Sequence, residues 1–436
     1  MLSSQDFELP STPAQLPSIN DGLQKGRYQQ ISPSRDVTGD NFPNGQIHMR
    51  WETSGSRWWV PKKSYIRMRV ELTRGDGAQL QTGDNVTPNM FLCGNLFQSA
   101  EYRIGDRSVC RLGQYVGQVD SLKQRISKSK PWLDSVGEVT NIASVDDDER
   151  KQEVIVDGTL RGKPNIELCW VPPLAIFDCE KAIPCSKHEL ILNPKNVSQY
   201  QLDAFLTSAA KAIGGGATDI KFRVTDMYLY AYTIEQKVVS STTYTLDLEH
   251  VHCQQDKIQV ASLSQRTFDV SPSTTALAVA YQDARVSDTR VSGSKFTVSP
   301  DADPEAYGAG VQQNALDRFY ISYANQQLPT PDADPSFNAT NDRFTERFLE
   351  NLLETGLIEN HAGAETYQEW QERGLYMLFN FEKSGEDAST RVQVNSQFAS
   401  GTEVANMNLL LFAFSRTSAQ IAVSNGQVVD VVLRER

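Results

Sequence analysis

Apolar and polar residues alternate with a period of two in many short runs along this chain. In "YIRMRVEL", Ile66, Met68, Val70 and Leu72 fall on one face while Tyr65, Arg67, Arg69 and Glu71 fall on the other, the signature of a half-buried antiparallel strand. The same grammar recurs in "AEYRIGD", "IELCWVPPLAIF", "KHELILNP" and "IKFRVTDMYLYAYTI". In the last of these the buried parity changes from Ile220, Phe222 and Val224 to Met227, Leu229 and Ala231, which requires a β-bulge near Thr225 and Asp226. A later group contains "DKIQVAS", "TALAVAYQD", "SKFTVS", "RFYISYAN", "GLYMLFNFE", "MNLLLFAFSR", "AQIAVS" and "QVVDVVLR". Many short strands separated by Gly, Pro, Asn and Asp predict β-sandwiches.

Helical spacing occurs twice. Tyr115, Val119, Leu122 and Ile126 recur at three and four residues, as do Phe344, Phe348, Leu349 and Leu352, with Asn341 as N-cap and Gly356 near the end of the second helix. The chain is therefore read as all-β with short helical insertions. Element order adds a repeat. "FQSAEYRIGD" precedes the helix near 115–128 and is followed by "ELCWVPPLAIF", "ELILNP" and a long closing strand. "DRFYISYANQQLP" precedes the helix near 341–355 and is followed by "LYMLFNFE", "NLLLFAF" and a closing pair. The offset between the two series is roughly 200 to 225 residues, which makes them copies of one plan. The Ser and Thr cluster from Val238 to Thr245 marks the boundary.

Length supports the division, because 436 residues exceed what one hydrophobic core usually supports. Residues 1–55, rich in Pro, Ser, Gln and Asn, read as an extended arm that gains order by docking on a neighbour; 56–238 and 239–436 are the two sandwiches. With 39% apolar and 22% charged residues the composition is that of a globular protein. A net charge of -12 and a pI near 5.1 give no general attraction to nucleic acid. In the arm Lys25, Arg27, Arg35 and Arg50 are matched by Asp6, Glu8, Asp21, Asp36 and Asp40, so it is polar and not cationic. No apolar run approaches the roughly 20 residues of a membrane span, and the first residues lack the pattern of a signal peptide, which predicts synthesis in the cytosol. Cys93, Cys110, Cys169, Cys179, Cys185 and Cys253 are scattered without a CxxC pair, as reduced buried thiols would be.

Four stretches, taken in order, resemble the double jelly-roll major capsid proteins of tailless icosahedral DNA viruses. "WWVPKKSYIRMRVELTRGDG" is similar to the opening strands of the first roll, with Trp58 and Trp59 where the arm joins it. "NLFQSAEYRIGDRSVCRLGQYVGQVDSLKQRI" resembles its strand, tight turn and helix, with Phe97, Gly105 and Asp106. "IELCWVPPLAIFDCEKAIPCSKHELILNPKN" is similar to the strands and corners marked by Trp170, Pro172, Pro173 and Pro194, and "IKFRVTDMYLYAYTIE" to the closing strand. The resemblance implies two tandem eight-stranded jelly rolls and a homotrimer of pseudo-hexagonal outline that tiles a virion shell. It implies as partners the protein itself and penton or minor capsid proteins, leaves the presence of an inner membrane open, and implies no cofactor. The arm would clamp a neighbour.

Candidate chemistry is sparse. His250 and His252 stand two apart on a strand, so both rings share a face and could hold a metal with Asp256, as the histidine pair of a cupin does; ordinary surface or interface histidines are the alternative. The only later histidine, His361, falls in a predicted loop beside a helix; His48 and His188 have no triad partner in sequence, and no GxSxG elbow occurs. The glycines Gly214 to Gly216 lack a following GK[ST] and read as a turn. Lys123, Arg125, Lys128 and Lys130 with Trp132 form the one basic patch, read as a solvated helix face or a contact for genome, membrane or minor protein. Two rival functions follow: a β-sandwich virion protein binding carbohydrate or another ligand, such as a spike, and a bicupin-like metalloenzyme.

Overall fold

A computed structural model of the chain describes residues 26–74, 77–78, 86–88, 92–137, 155–156, 159–160, 166–184, 186–196, 205–207, 220–235, 241–283, 296, 316–329, 344–355, 366–367, 370, 374–381, 389–398, 407–424 and 427–435. Among the described residues sixteen strands form two matched sets of eight, and two more, Arg57–Trp59 and Gln427–Glu435, pair with the last strand of the first and of the second set. The first contains β1 (Arg27–Ile31), β2 (Ile47–Glu52), β3 (Tyr65–Arg74), β4 (Phe97–Ile104), β5 (Arg107–Leu112), β6 (Ile166–Trp170), β7 (Lys187–Pro194) and β8 (Ile220–Glu235). The second contains β9 (Ser241–Lys257), β10 (Ser264–Asp269), β11 (Thr274–Asp283), β12 (Leu316–Tyr323), β13 (Gln326–Leu328), β14 (Tyr376–Asn380), β15 (Arg391–Phe398) and β16 (Met407–Ser424).

Sheet order is the same in both halves. The first has sheets β1-β8-β3-β6 and β2-β7-β4-β5; the second has β9-β16-β11-β14 and β10-β15-β12-β13. All recorded strand pairings within these sheets are antiparallel. Gln427–Glu435 folds back on β16 in the same sheet, and within each matched set of eight the consecutive strands change sheet except at one hairpin, which is the jelly-roll path. Those hairpins turn at corresponding places. Gly105, with φ +58°, follows β4, while Ala324 and Asn325, at φ +50° and +62°, follow β12. Two successive left-handed residues match the twist of a two-residue hairpin.

Alternation produces the cores. On β3, Ile66, Met68 and Val70 are buried and meet Trp59, Phe97 and Trp170 in the core of the first sandwich. The bulge expected in β8 is present: Val224 pairs with Val70 and Asp226 with Arg69, leaving Thr225 as the extra residue. Three helices matter here: α1 (Val116–Ser127) and α2 (Ala175–Asp178) in the first half, and α3 (Phe344–Glu354) in the second. Both α1 and α3 lie between the fifth and sixth strands of their half, close to the expected bounds; Asn341 and Gly356 lie outside the described residues.

Several expectations need correction. The arm does not extend to residue 55: β1 pairs with β8, and β2 pairs with β7, because Ile31, Ile47, Met49 and Trp51 supply the inward alternation of core strands. "IELCWVPPLAIF" is not one strand; β6 ends at Trp170, where Pro172 and Pro173 cannot continue the ladder, and α2 follows. "DKIQVAS" is largely irregular after Lys257, and β10 lies just beyond it. "RVQVNSQF" is a core strand, β15, disguised by its buried Asn395 and Ser396. "MNLLLFAFSR" and "AQIAVS" are one strand, β16. Of "SKFTVS", Phe296 is described and forms an isolated bridge with Gly374. Cys185 and the glycines at 214–216 lie outside the described residues.

Candidate functional site

The chain passes from the first pair of sheets to the second between Glu235 and Ser241. The two sandwiches meet along a seam built on α1. Val116, Val119, Leu122 and Arg125 are buried at successive steps of three, and Gln118, Asp120 and Ser121 are buried as well, so this helix is enclosed on more than one side. Its own sandwich holds it by a close approach. A Cβ on Gly117 would lie 2.0 Å from Asn95 Oδ1, and one on Gly94 would lie 2.6 Å from Asp120 Oδ2, so larger residues at either position would push the helix away. Trp170 Nε1 donates to Asp120 Oδ2 at 3.0 Å, and the Trp170 ring stacks on Phe97 at 5.1 Å. Lys123 pairs with Asp178 and reaches the Pro173 carbonyl at 3.4 Å.

The other side of α1 meets the second sandwich. Gln118 Nε2 donates to Gln282 Oε1 at 3.4 Å, and the Arg125 guanidinium lies over Phe296 at 5.6 Å. Phe296 in turn contacts Phe412 at 5.8 Å, which pairs with Ala278. Tyr281 bonds Ser396 across the second core, so Leu277, Val279 and Tyr281 face inward. Ala276, Ala278, Ala280 and Gln282 face α1's side. Three alanines in alternation leave room for that covering layer. Further along, Trp58 meets Tyr244 edge-on at 5.3 Å, and α2 packs on β9, burying Tyr244, Leu246 and Leu248.

The expected residues therefore divide. Trp58, Trp170 and Pro173 contribute to the seam or support α1. Trp59 lies in the first core, donating from Nε1 to Ser64 Oγ at 2.8 Å. Phe97 and Pro194 pair at the ends of β4 and β7. Gly105 donates its N–H to the Lys187 carbonyl at 2.7 Å, Asp106 completes the exposed turn, and Pro172 is buried at the corner.

The histidine pair takes another form than expected. His250 and His252 rings stack at 6.1 Å, and His250 Nε2 lies 2.7 Å from Thr417 Oγ1. Burial, then His252 and Lys123, pull the His250 pKa down to about 4. Asp256 faces Arg266 at 3.6 Å instead. Four residues of extended strand, about 13 Å, separate it from His252, too far to share an ion. Among the described residues no group of three or more His, Cys, Asp and Glu side chains could hold a metal.

Two buried groups escaped the sequence reading. Arg125 belongs to the patch expected on a solvated face, yet it is 1% exposed; its place three residues after Leu122 in the buried stripe was the available signal. His188 shares inward parity with Leu190 and Leu192. It stacks on Trp51 at 5.0 Å and lies 2.8 Å from Tyr102 Oη, 3.0 Å from Ser186 Oγ and 3.2 Å from Thr53 Oγ1. Burial alone pushes its pKa down to about 3, so it is neutral at physiological pH. The described cysteines are free. Burial raises the thiol pKa values of Cys93, Cys110 and Cys179, that of Cys110 to about 12.

Two jelly rolls of one strand order in a single chain define the double jelly-roll class of fold. No family model matches the sequence, and no curated protein matches it. Solved structures do match in fold. The chain is similar to one in the cryo-EM structure of the Sputnik virophage, with TM-score 0.59 and 9% identity over 100% of this chain and 92% of that one. The mavirus major capsid protein gives TM-score 0.52 and 10% identity over 98% and 96%. A chain of the PBCV-1 virus capsid gives TM-score 0.54 and 11% identity over 95% and 97%. The double jelly-roll expected from the sequence is the fold of this chain.

Proposed function

We propose that this chain is a viral major capsid protein that forms homotrimers of pseudo-hexagonal outline and tiles an icosahedral shell. The observation that carries the reading is the doubled roll, with the same strand order in both halves and a fold shared along nearly the whole length with chains of viral capsids. Two similar rolls side by side, repeated by a threefold axis, present six similar units around a ring, and such a tile fills a flat lattice. Its work is self-assembly and not catalysis, and its place is the virion. Penton or minor capsid proteins would occupy positions a flat tile cannot fill. An inner membrane remains compatible with the reading; among the described residues no helix is long and apolar enough to cross one. The residues ahead of Arg27 would serve as the arm that reaches a neighbour. The acidic charge of -12 keeps free capsomers soluble. Negative-stain imaging and light scattering of the purified chain at high concentration test the proposal: trimers and shells are expected, and a persistent monomer would overturn it.

A further inference from the structure

The sheet containing β9, β16, β11 and β14 turns an apolar face, with Ala276, Ala278, Ala280 and Phe412, away from its own core, and α1 of the first sandwich lies on it. Strand order places the same face on the sheet of β1, β8, β3 and β6. There the chemistry is different. Tyr28 meets Tyr232 at 4.9 Å and Tyr65 at 5.7 Å, and Tyr65 stacks on Tyr230 at 5.4 Å. Arg67 and Arg69 share Glu167 beside them, and Lys63 lies over Tyr232 at 5.2 Å. This face is open to solvent, with Tyr28 49% exposed and the Arg69 side chain 42% exposed.

The helix that corresponds to α1 in the second sandwich is α3. It buries Phe344, Arg347 and Asn351, and Asn351 holds it to β14 through the Tyr376 carbonyl at 2.6 Å and the Leu378 N–H at 2.9 Å. Its opposite edge presents Leu349 and Leu353, one turn apart and 48% and 56% exposed. Glu346, Glu350 and Glu354 give this helix three carboxylates against one arginine, Arg347. An acidic helix with a leucine edge thus stands in the place that α1 fills, while a tyrosine and arginine face stands where α1's partner surface would be. The two surfaces complement each other in charge, and tyrosine brings large amphipathic contact area of the kind enriched at interfaces.

We propose that the Leu349 and Leu353 edge of α3 in one copy docks on the tyrosine and arginine face of a second copy, repeating between chains the contact that α1 makes within one. The inference rests on the homotrimer reading and names the surface that builds it. The contact is head-to-tail, so every open assembly leaves one surface of each kind unused, and threefold closure pairs them all.

The full-length protein tests it. Wild type is expected to be trimeric by light scattering, and L349D/L353D and Y28E/R69E each monomeric with unchanged far-ultraviolet circular dichroism. Mixing the two variants is expected to give a two-chain species, because one sound pair of surfaces then survives. Trimeric variants would overturn the surface assignment and leave the trimer standing; a monomeric wild type would overturn both. A photo-cross-linking phenylalanine analogue at Leu353, in the otherwise wild-type chain, gives a readout independent of those substitutions. Its interchain cross-links are expected within residues 27–31, 65–69 or 228–232, and mapping elsewhere would overturn the proposal.

Discussion

The outward faces of two corresponding sheets differ in both chemistry and exposure. In the second sandwich the face carries Ala276, Ala278, Ala280 and Phe412 and is covered. In the first it carries Tyr28, Tyr65, Tyr230 and Arg67 and is open. Strand order is identical, so the outward residues are not what sets the fold. Inward alternation and the two hairpins suffice for that, and the outward positions are free to follow whatever lies against them. Small apolar residues mark the face whose cover belongs to the same chain.

That account predicts where damage is greatest. Trp170→Ala removes a fully buried ring that stacks on Phe97 and bonds Asp120, leaving a cavity beneath α1. A loss of about 3 to 5 kcal/mol is expected, read as a lowered urea midpoint, with both sandwiches affected because α1 joins them. A change confined to the first sandwich would break the link drawn between the Trp170 support and the seam.

Acid should act next, through His188 in the first half and His250 in the second. His188 has its folded pKa held near 3 by burial, below the ordinary value near 6.5, so the unfolded chain binds the extra proton first. Stability is therefore full above about pH 6.5 and falls as pH drops toward 3, by about 1.4 kcal/mol per unit, or about 3 kcal/mol at pH 4. Of the six tryptophans, Trp370 alone belongs to the second half, so tryptophan fluorescence follows mainly the first sandwich. His188→Phe should lower stability at neutral pH, through loss of the Tyr102 and Ser186 partners, yet flatten the profile below pH 6.5. An unchanged slope would remove His188 as the source.

Arg125→Met sharpens the contrast at the seam itself. It removes the guanidinium over Phe296 and the bond from Nε to Ser121 Oγ at 3.1 Å, while methionine fills much of the volume. About 2 kcal/mol is expected from the lost cation–π contact and hydrogen bond, again as a shift in urea midpoint.

Much of this architecture was legible in sequence because it rests on alternation. The β8 bulge was read from a change of parity between Val224 and Met227, and both helices from steps of three and four. Failures fell where a second neighbour erased the alternation. β16 is apolar on both faces up to Phe414 because its outward side is covered, and the polar run from Ser415 to Ser418 made it look like two segments; β15 hid behind the buried polar residues Asn395 and Ser396, the latter bonded to the distant Tyr281. Arg125 was assigned to solvent because a helical arginine ordinarily belongs there, and nothing local announces Phe296 from the other sandwich. The histidine pair was a spacing argument, and spacing put Asp256 on the correct face but too far along the strand.

The smallest expected effect completes the contrast with Arg125. Arg69 also belongs to a sheet-face contact, but its partner Glu167 is half exposed, as is its own side chain, and surface ion pairs contribute about 0 to 1 kcal/mol. Glu167 also keeps Arg67 as a second partner, so no buried charge is left alone by the change. Arg69→Ala should therefore leave the urea midpoint of the isolated chain within about 0.5 kcal/mol of wild type, far from the effect of Arg125→Met. The two arginines occupy opposite sides of the same kind of contact, Arg125 on a helix closed by its own chain and Arg69 on a sheet face that is open. A large loss at Arg69 in the monomer would mean that this face is already engaged within the chain, and the difference between the two sheets would then lie elsewhere.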